Sequence, residues 1–130
     1  MSMAAEVAAG MQTYEDVKAW CLAHPGAVGE YPFGPGSLVM KVGGKLFAII
    51  AEAASPVRIN LKNTPEMNLA LRDRWNAVLP GYHMNKLHWN TVVLDGSIPD
   101  EDIRQMIGES YDLVFGSLTK TLRAAIDAGA

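Results

Sequence analysis

Residues 37–51 read SLVMKVGGKLFAIIA, and this stretch decides the fold. Two strand-sized apolar runs, residues 37–42 and 45–51, flank Gly43-Gly44. A Gly-Gly pair between such runs is a strong hairpin signal, because glycine enters the positive-φ region of a tight turn without steric cost. A break at Ala53-Ala54-Ser55-Pro56 leads to a third strand over residues 57–61. There Val57, Ile59 and Leu61 face one way, and Arg58, Asn60 and Lys62 the other. Strands joined by hairpins imply a largely antiparallel sheet.

Helical signals lie on both sides of this core. Thr13 is placed as an N-cap, with Asp16 three residues on. Tyr14, Val17, Trp20 and Cys21 follow at helical spacing until Pro25-Gly26 ends the helix. Residues 29–37, with Pro32, Gly34, Pro35 and Gly36, read as a loop. Thr64-Pro65 opens a second helix running to about Trp75, with Met67, Leu71 and Trp75 inward. Pro80-Gly81 starts a short extended piece, Tyr82 to Asn85, and a strand follows from about Trp89 to Leu94 before the Asp95-Gly96 turn. From Pro99 onward, Ile103, Met106, Ile107, Tyr111, Val114, Leu118, Leu122 and Ile126 keep one apolar stripe. That stripe is too long for a single surface helix of a small domain, so a break is expected near Gly108 or Gly116. The expected fold is α+β, a two-layer α-β(3)-α-β(2)-α arrangement of helices packed on the sheet.

The chain has 130 residues and an apolar share of 49%, which suits one domain with a real core. No apolar run approaches the roughly 18 residues of a membrane helix. Residues 1–12 lack the basic and apolar regions of a secretory signal and read as a frayed tail ahead of a single domain over residues 13–127. With one cysteine, Cys21, no intramolecular disulfide forms, and a cytoplasmic location is expected. Cys21 reads as a small buried hydrophobe, since no activating charge stands beside it in sequence. Net charge is −3, unevenly spread: residues 41–90 carry seven Lys and Arg against three acids, between two acidic ends. One modestly basic face is expected.

Several segments now resemble one family. They are Tyr31-Pro32-Phe33-Gly34, Lys45-Leu46-Phe47, Asn60-Leu61-Lys62, Pro80-Gly81-Tyr82-His83-Met84-Asn85-Lys86, His88-Trp89-Asn90 and Ser110-Tyr111-Asp112-Leu113-Val114. In order and spacing they resemble the MmcQ/YjbR family over residues 14–123. The resemblance implies the α-β(3)-α-β(2)-α fold, with a likeness to secretion chaperones and to double-wing DNA-binding domains. Members of the family are often labelled DNA-binding, largely by fold analogy, which is a weak warrant for function.

Residues 83–90 are the most unusual stretch, and four readings compete for it. For a metal site, His83 and His88 are five apart, a spacing that separates them on a strand or a helix, and no Cys pair or acid lies close by; none is expected. For catalysis, Ser110 and Asp112 could serve a histidine, but no nucleophile elbow, phosphate loop or dinucleotide fingerprint is present, so neither an enzyme nor a cofactor is expected. In the structural reading, Tyr82, Met84 and Trp89 fill the core edge while His83, Asn85 and Asn90 satisfy loop backbone groups. In the binding reading, Lys45, Arg58, Lys62, His83, Lys86 and His88 form a surface for phosphates and exposed bases. Tyr31, Pro32, Phe33 and Gly34 read as a plug over the core, and Asp100, Glu101 and Asp102 as charges favourable to a helix N-terminus. The leading expectation is a non-enzymatic module that binds DNA weakly. The runner-up is a protein-interaction adaptor.

Overall fold

The computed structural model describes residues 10–129. The chain runs α1 (Tyr14–Leu22), β1 (Val28–Glu30), β2 (Ser37–Val42), β3 (Lys45–Ala51), β4 (Arg58–Lys62), α2 (Pro65–Arg74), β5 (Val78–Pro80), β6 (Trp89–Val93), α3 (Asp100–Gly116) and α4 (Lys120–Gly129). The six strands form one antiparallel sheet in the order β1-β2-β3-β4-β6-β5. This is the expected α+β fold, with two strands reassigned and the last helix divided. β1 lies where a loop was expected, and its three residues are all exposed. β5 precedes Gly81, whereas residues 82–85, expected to be extended, form a turn.

The central hairpin follows its sequence. Val42 pairs with Lys45, and Gly43 and Gly44 have φ of 58° and 81°, the positive values a two-residue turn requires. A Cβ on Gly43 would also come within 2.6 Å of the Leu118 side chain, on the connector between α3 and α4, so a larger residue there would have to push that side chain aside.

α3 lies across β2, β3 and β4 and closes one face of the sheet. It buries Ile103, Met106, Ile107, Ser110, Tyr111 and Val114 against Phe47, Ile50, Ile59 and Leu61. Each large apolar side chain so buried stabilises by about 1.5–3 kcal/mol. A mid-helix glycine costs only about 1 kcal/mol, so the helix runs straight through Gly108. It stops at Gly116. Ser117 caps it, and Arg123 donates from Nη1 to the Gly116 carbonyl, one of those the helix end leaves unpaired, and to the Leu118 carbonyl just beyond.

α2 sits differently. Thr64 caps it, accepting from the Met67 amide at 3.2 Å. Met67, expected inward, is 39% exposed; the helix's fully buried residue is Asn68. Leu71 and Trp75, also expected inward, are partly buried against the core, so its contact with the sheet edge is both polar and apolar.

Of the tail expected over residues 1–12, residues 1–9 lie outside the described residues. Residues 11 and 12 are not frayed: Met11 is buried, its amide donates to Asp100, and Gln12 Nε2 donates to Asp100 at 2.7 Å and to the Ile98 carbonyl. These donors, the Gln12 side chain first, hold the Asp100 carboxyl below its usual range. Cys21 is fully buried, and burial pushes its thiol up to about 12, consistent with a packing role. Among the described residues no helix is long and apolar enough to cross a membrane.

Candidate functional site: the open face of the sheet

Strand alternation sends half of the side chains away from the helices. On that second face, Ser37 pairs with Ala51, Val39 with Ile49, Lys41 with Leu46, Ile49 with Asn60, Ala51 with Arg58, and Asn60 with Thr91. No described helix lies there. These residues floor a cleft of about 640 Å³, walled by Pro32, Phe33 and Ala54 and by Tyr82, His83 and Met84. The volume falls in the roughly 300–1,000 Å³ range of ligand pockets.

The first wall is a turn closed by the Gly34 amide donating to the Tyr31 carbonyl at 3.1 Å, with Gly34 at φ 87°. Phe33, at the middle of the turn, is 76% exposed. The plug expected over the core is therefore a lip, because the turn carries the ring out over the second face, away from the core. The Tyr31 and Tyr14 hydroxyls, 2.9 Å apart, tie the lip to α1. Burial, the Tyr31 hydroxyl and Glu52 together raise the Tyr14 phenol above its ordinary value.

The second wall is the turn Gly81–Met84, closed by the Met84 amide on the Gly81 carbonyl at 3.2 Å. His83 takes φ 58°, a position usually given to glycine or asparagine. Thr91 anchors this lip to the sheet. Its Oγ1 accepts from the Tyr82 amide at 2.9 Å and donates to Asn60 Oδ1 at 2.6 Å, while Asn60 Nδ2 reaches the Tyr82 carbonyl. Tyr82, expected at the core edge, is 62% exposed and packs on the His83 ring, centroids 3.9 Å apart. Gly81 allows the close approach: a Cβ there would lie 2.8 Å from both Cβ and the carbonyl oxygen of Trp89.

The rest of residues 85–90 are held by α2. Asn85 accepts from the Leu87 amide through its side chain. Asn68 donates to the Leu87 and Asn63 carbonyls, Asn90 donates to the Asn68 carbonyl, and Arg72 donates to Asn90 Oδ1 at 2.6 Å and to the Lys86 carbonyl. Trp89 is buried.

The six residues expected to form one basic surface are dispersed. Arg58 and His83 line the cleft. Lys62 leaves it, its ammonium 6.0 Å from the centroid of the Trp89 ring. Lys45, at the hairpin tip, reaches Ser117 at the end of α3. Lys86 is exposed and His88 half-buried, both on the loop that α2 pins and neither among the cleft's lining. Lys41, Val39, Ile49 and Thr91 carry no motif that marks them. For Val39 and Ile49 the signal is that residues 37–51 are largely apolar on both faces, as expected of a strand covered twice. Ser110 is fully buried, donating to the Phe47 carbonyl and accepting from the Lys62 amide, and so serves the core. The Tyr111 hydroxyl donates to the Pro25 carbonyl. Among the described residues no three His, Cys, Asp or Glu side chains converge as a metal-ligand set.

The YjbR family model matches residues 22–113. The uncharacterized protein YjbR of Escherichia coli (strain K12) is 34% identical over 111 residues, covering 85% of this chain and 94% of that protein. The uncharacterized protein YbdF of Escherichia coli O157:H7 is 39% identical over 90 residues, 69% of this chain and 74% of YbdF. The Deinococcus radiodurans protein DR2400, with the family-model domain DUF419, has a TM-score of 0.85 at 36% identity, with 90% of this chain and 89% of that chain covered. Agreement in motif order, in sequence over most of the domain and in fold carries one conclusion: the chain belongs to the YjbR family.

Proposed function

We propose that the protein is a non-enzymatic binding module whose open sheet face takes nucleic acid. One observation carries the reading: Arg58, Lys41 and His83 share a cleft with the exposed rings of Phe33 and Tyr82. Cations suit phosphates and exposed rings suit bases. Arg58 is exposed, and its side chain has no hydrogen bond or ion pair among the described residues. Lys41 is partly engaged, 3.0 Å from Glu30.

The test is fluorescence anisotropy of labelled DNA and RNA at low salt, comparing the native chain with Arg58→Glu. Arg58 lies on the surface, so the variant should keep its circular-dichroism spectrum and melting temperature while losing at least tenfold in affinity. Binding that ignores the substitution contradicts the reading. A second reading, a protein-interaction adaptor, is favoured by the apolar floor of Val39, Leu46, Ile49 and Ala51. Absence of any nucleic-acid binding at low salt would select it.

A further inference from the structure

Resting on the nucleic-acid reading, we infer that the cleft is a slot for one unpaired nucleobase, so that the ligand is a single strand and not a duplex. Duplex binding by charge needs a row of cations that follows the phosphates. Here that row is broken: Lys45 turns to Ser117 and Lys62 lies over Trp89. The cleft instead offers concave apolar volume. Val39, Leu46 and Ile49 floor it, and Phe33 and Tyr82 stand in opposite walls, 76% and 62% exposed. A base hidden inside a duplex presents only its edges to such a slot. An unpaired base presents a flat π-face that stacks on either ring, independently of its identity. Polar groups for its edge and its phosphate are at hand. Asn60, half-buried on the floor, keeps an amide proton beyond its bond to the Tyr82 carbonyl, and the Arg58 guanidinium is free to meet the phosphate on that side. The walls are pre-set by backbone turns and by the Thr91–Asn60–Tyr82 hydrogen bonds, so the backbone that carries the rings is fixed before a ligand arrives.

The experiment measures anisotropy with three labelled probes of equal length: a mixed-sequence single-stranded DNA, its duplex, and a strand in which abasic sites replace the central nucleotides. Each is titrated against the native chain, Phe33→Ala, Tyr82→Ala and Arg58→Glu. The expected result is single-strand affinity at least tenfold above duplex and abasic affinity. Phe33→Ala and Tyr82→Ala should each weaken the single strand by roughly five- to a hundredfold, the range of base–aromatic stacking. A duplex or an abasic strand bound as tightly as the single strand overturns the slot. So does a single strand bound equally by the native chain and both aromatic variants. If Arg58→Glu still abolishes binding in those cases, the nucleic-acid reading survives and the base slot alone falls. If no probe binds, both fall together. Displacement of the strand by AMP at a comparable concentration would name a free nucleotide as the source of the same base-and-phosphate chemistry, and no displacement would name the strand.

Discussion

Gly81 shows how one residue sets the site's shape. Its φ is not positive, so conformational freedom is not the reason for glycine there. The reason is space: a Cβ would sit 2.8 Å from the Trp89 carbonyl oxygen, which is backbone and cannot rotate away. The Gly81 amide also donates to that same carbonyl at 2.9 Å, locking the lip to β6. Gly81→Ala should therefore destabilise the domain by about 1–3 kcal/mol, the usual cost of overpacking a filled site. Urea denaturation followed by tryptophan fluorescence is the check, and an unchanged midpoint would mean that β6 moves freely from the lip. Gly34, by contrast, has open space around it and needs glycine for its φ of 87°.

Among the elements, α2 adds a buried hydrogen-bond network around Asn68 to the packing of Leu71 and Trp75, where α3 is held chiefly by apolar burial. Asn68 and Asn90 are 1% and 2% exposed, so each unpaired group there carries a full desolvation penalty. Arg72→Met keeps the aliphatic stem and removes the donors to Asn90 Oδ1 and the Lys86 carbonyl. The expected cost is about 1–3 kcal/mol, from leaving a buried amide oxygen unsatisfied. The loss should also be local. Amide hydrogen exchange should speed up for residues 84–89, which this clamp holds, while the β2–β3 hairpin, packed under α3, keeps its protection. Equal acceleration in the hairpin would show that α2 and the core open as one unit.

At the scale of the whole molecule, the two sheet faces divide the labour. One face, under α3, holds most of the large buried side chains, and the other faces outward as the cleft. Charge follows neither face closely. The net charge of −3 opposes the approach of a polyanion, so long-range steering should be weak. With Lys41 and Arg58 the cations at the cleft, about two phosphates are engaged. The salt dependence of single-strand binding should then be shallow, a log–log slope of about −1 to −2 from roughly 0.7 per phosphate. A slope steeper than about −3 would mean that Lys45, Lys62 or Lys86 joins the contact, and that the ligand extends well beyond the cleft. Anisotropy titrations at four or five salt concentrations decide between them.

The sequence by itself determined the α+β class, the antiparallel hairpins, the Gly43-Gly44 tip, a break in the last helical stretch at Gly108 or Gly116, and the buried stripe of Tyr111, Val114 and Leu118. These are written in turn residues and in periods of 2 and 3.6, which act between neighbours along the chain. β1 is not legible because three exposed residues carry no period; on α2, Leu71 and Trp75 pack inward as their spacing indicates, but the fully buried position is Asn68 and not Met67. Only the tertiary structure decided which face of the sheet stays open. Residues 37–51 are apolar on both sides, so alternation separates the faces but cannot say which one the helices cover. That depends on where α3 packs, some 60 residues away. The same packing sent Lys45 to Ser117 and brought Phe33 and Tyr82, 49 residues apart, to the walls of one cleft. Such convergence is a long-range property of the folded sheet, and no local spacing encodes it.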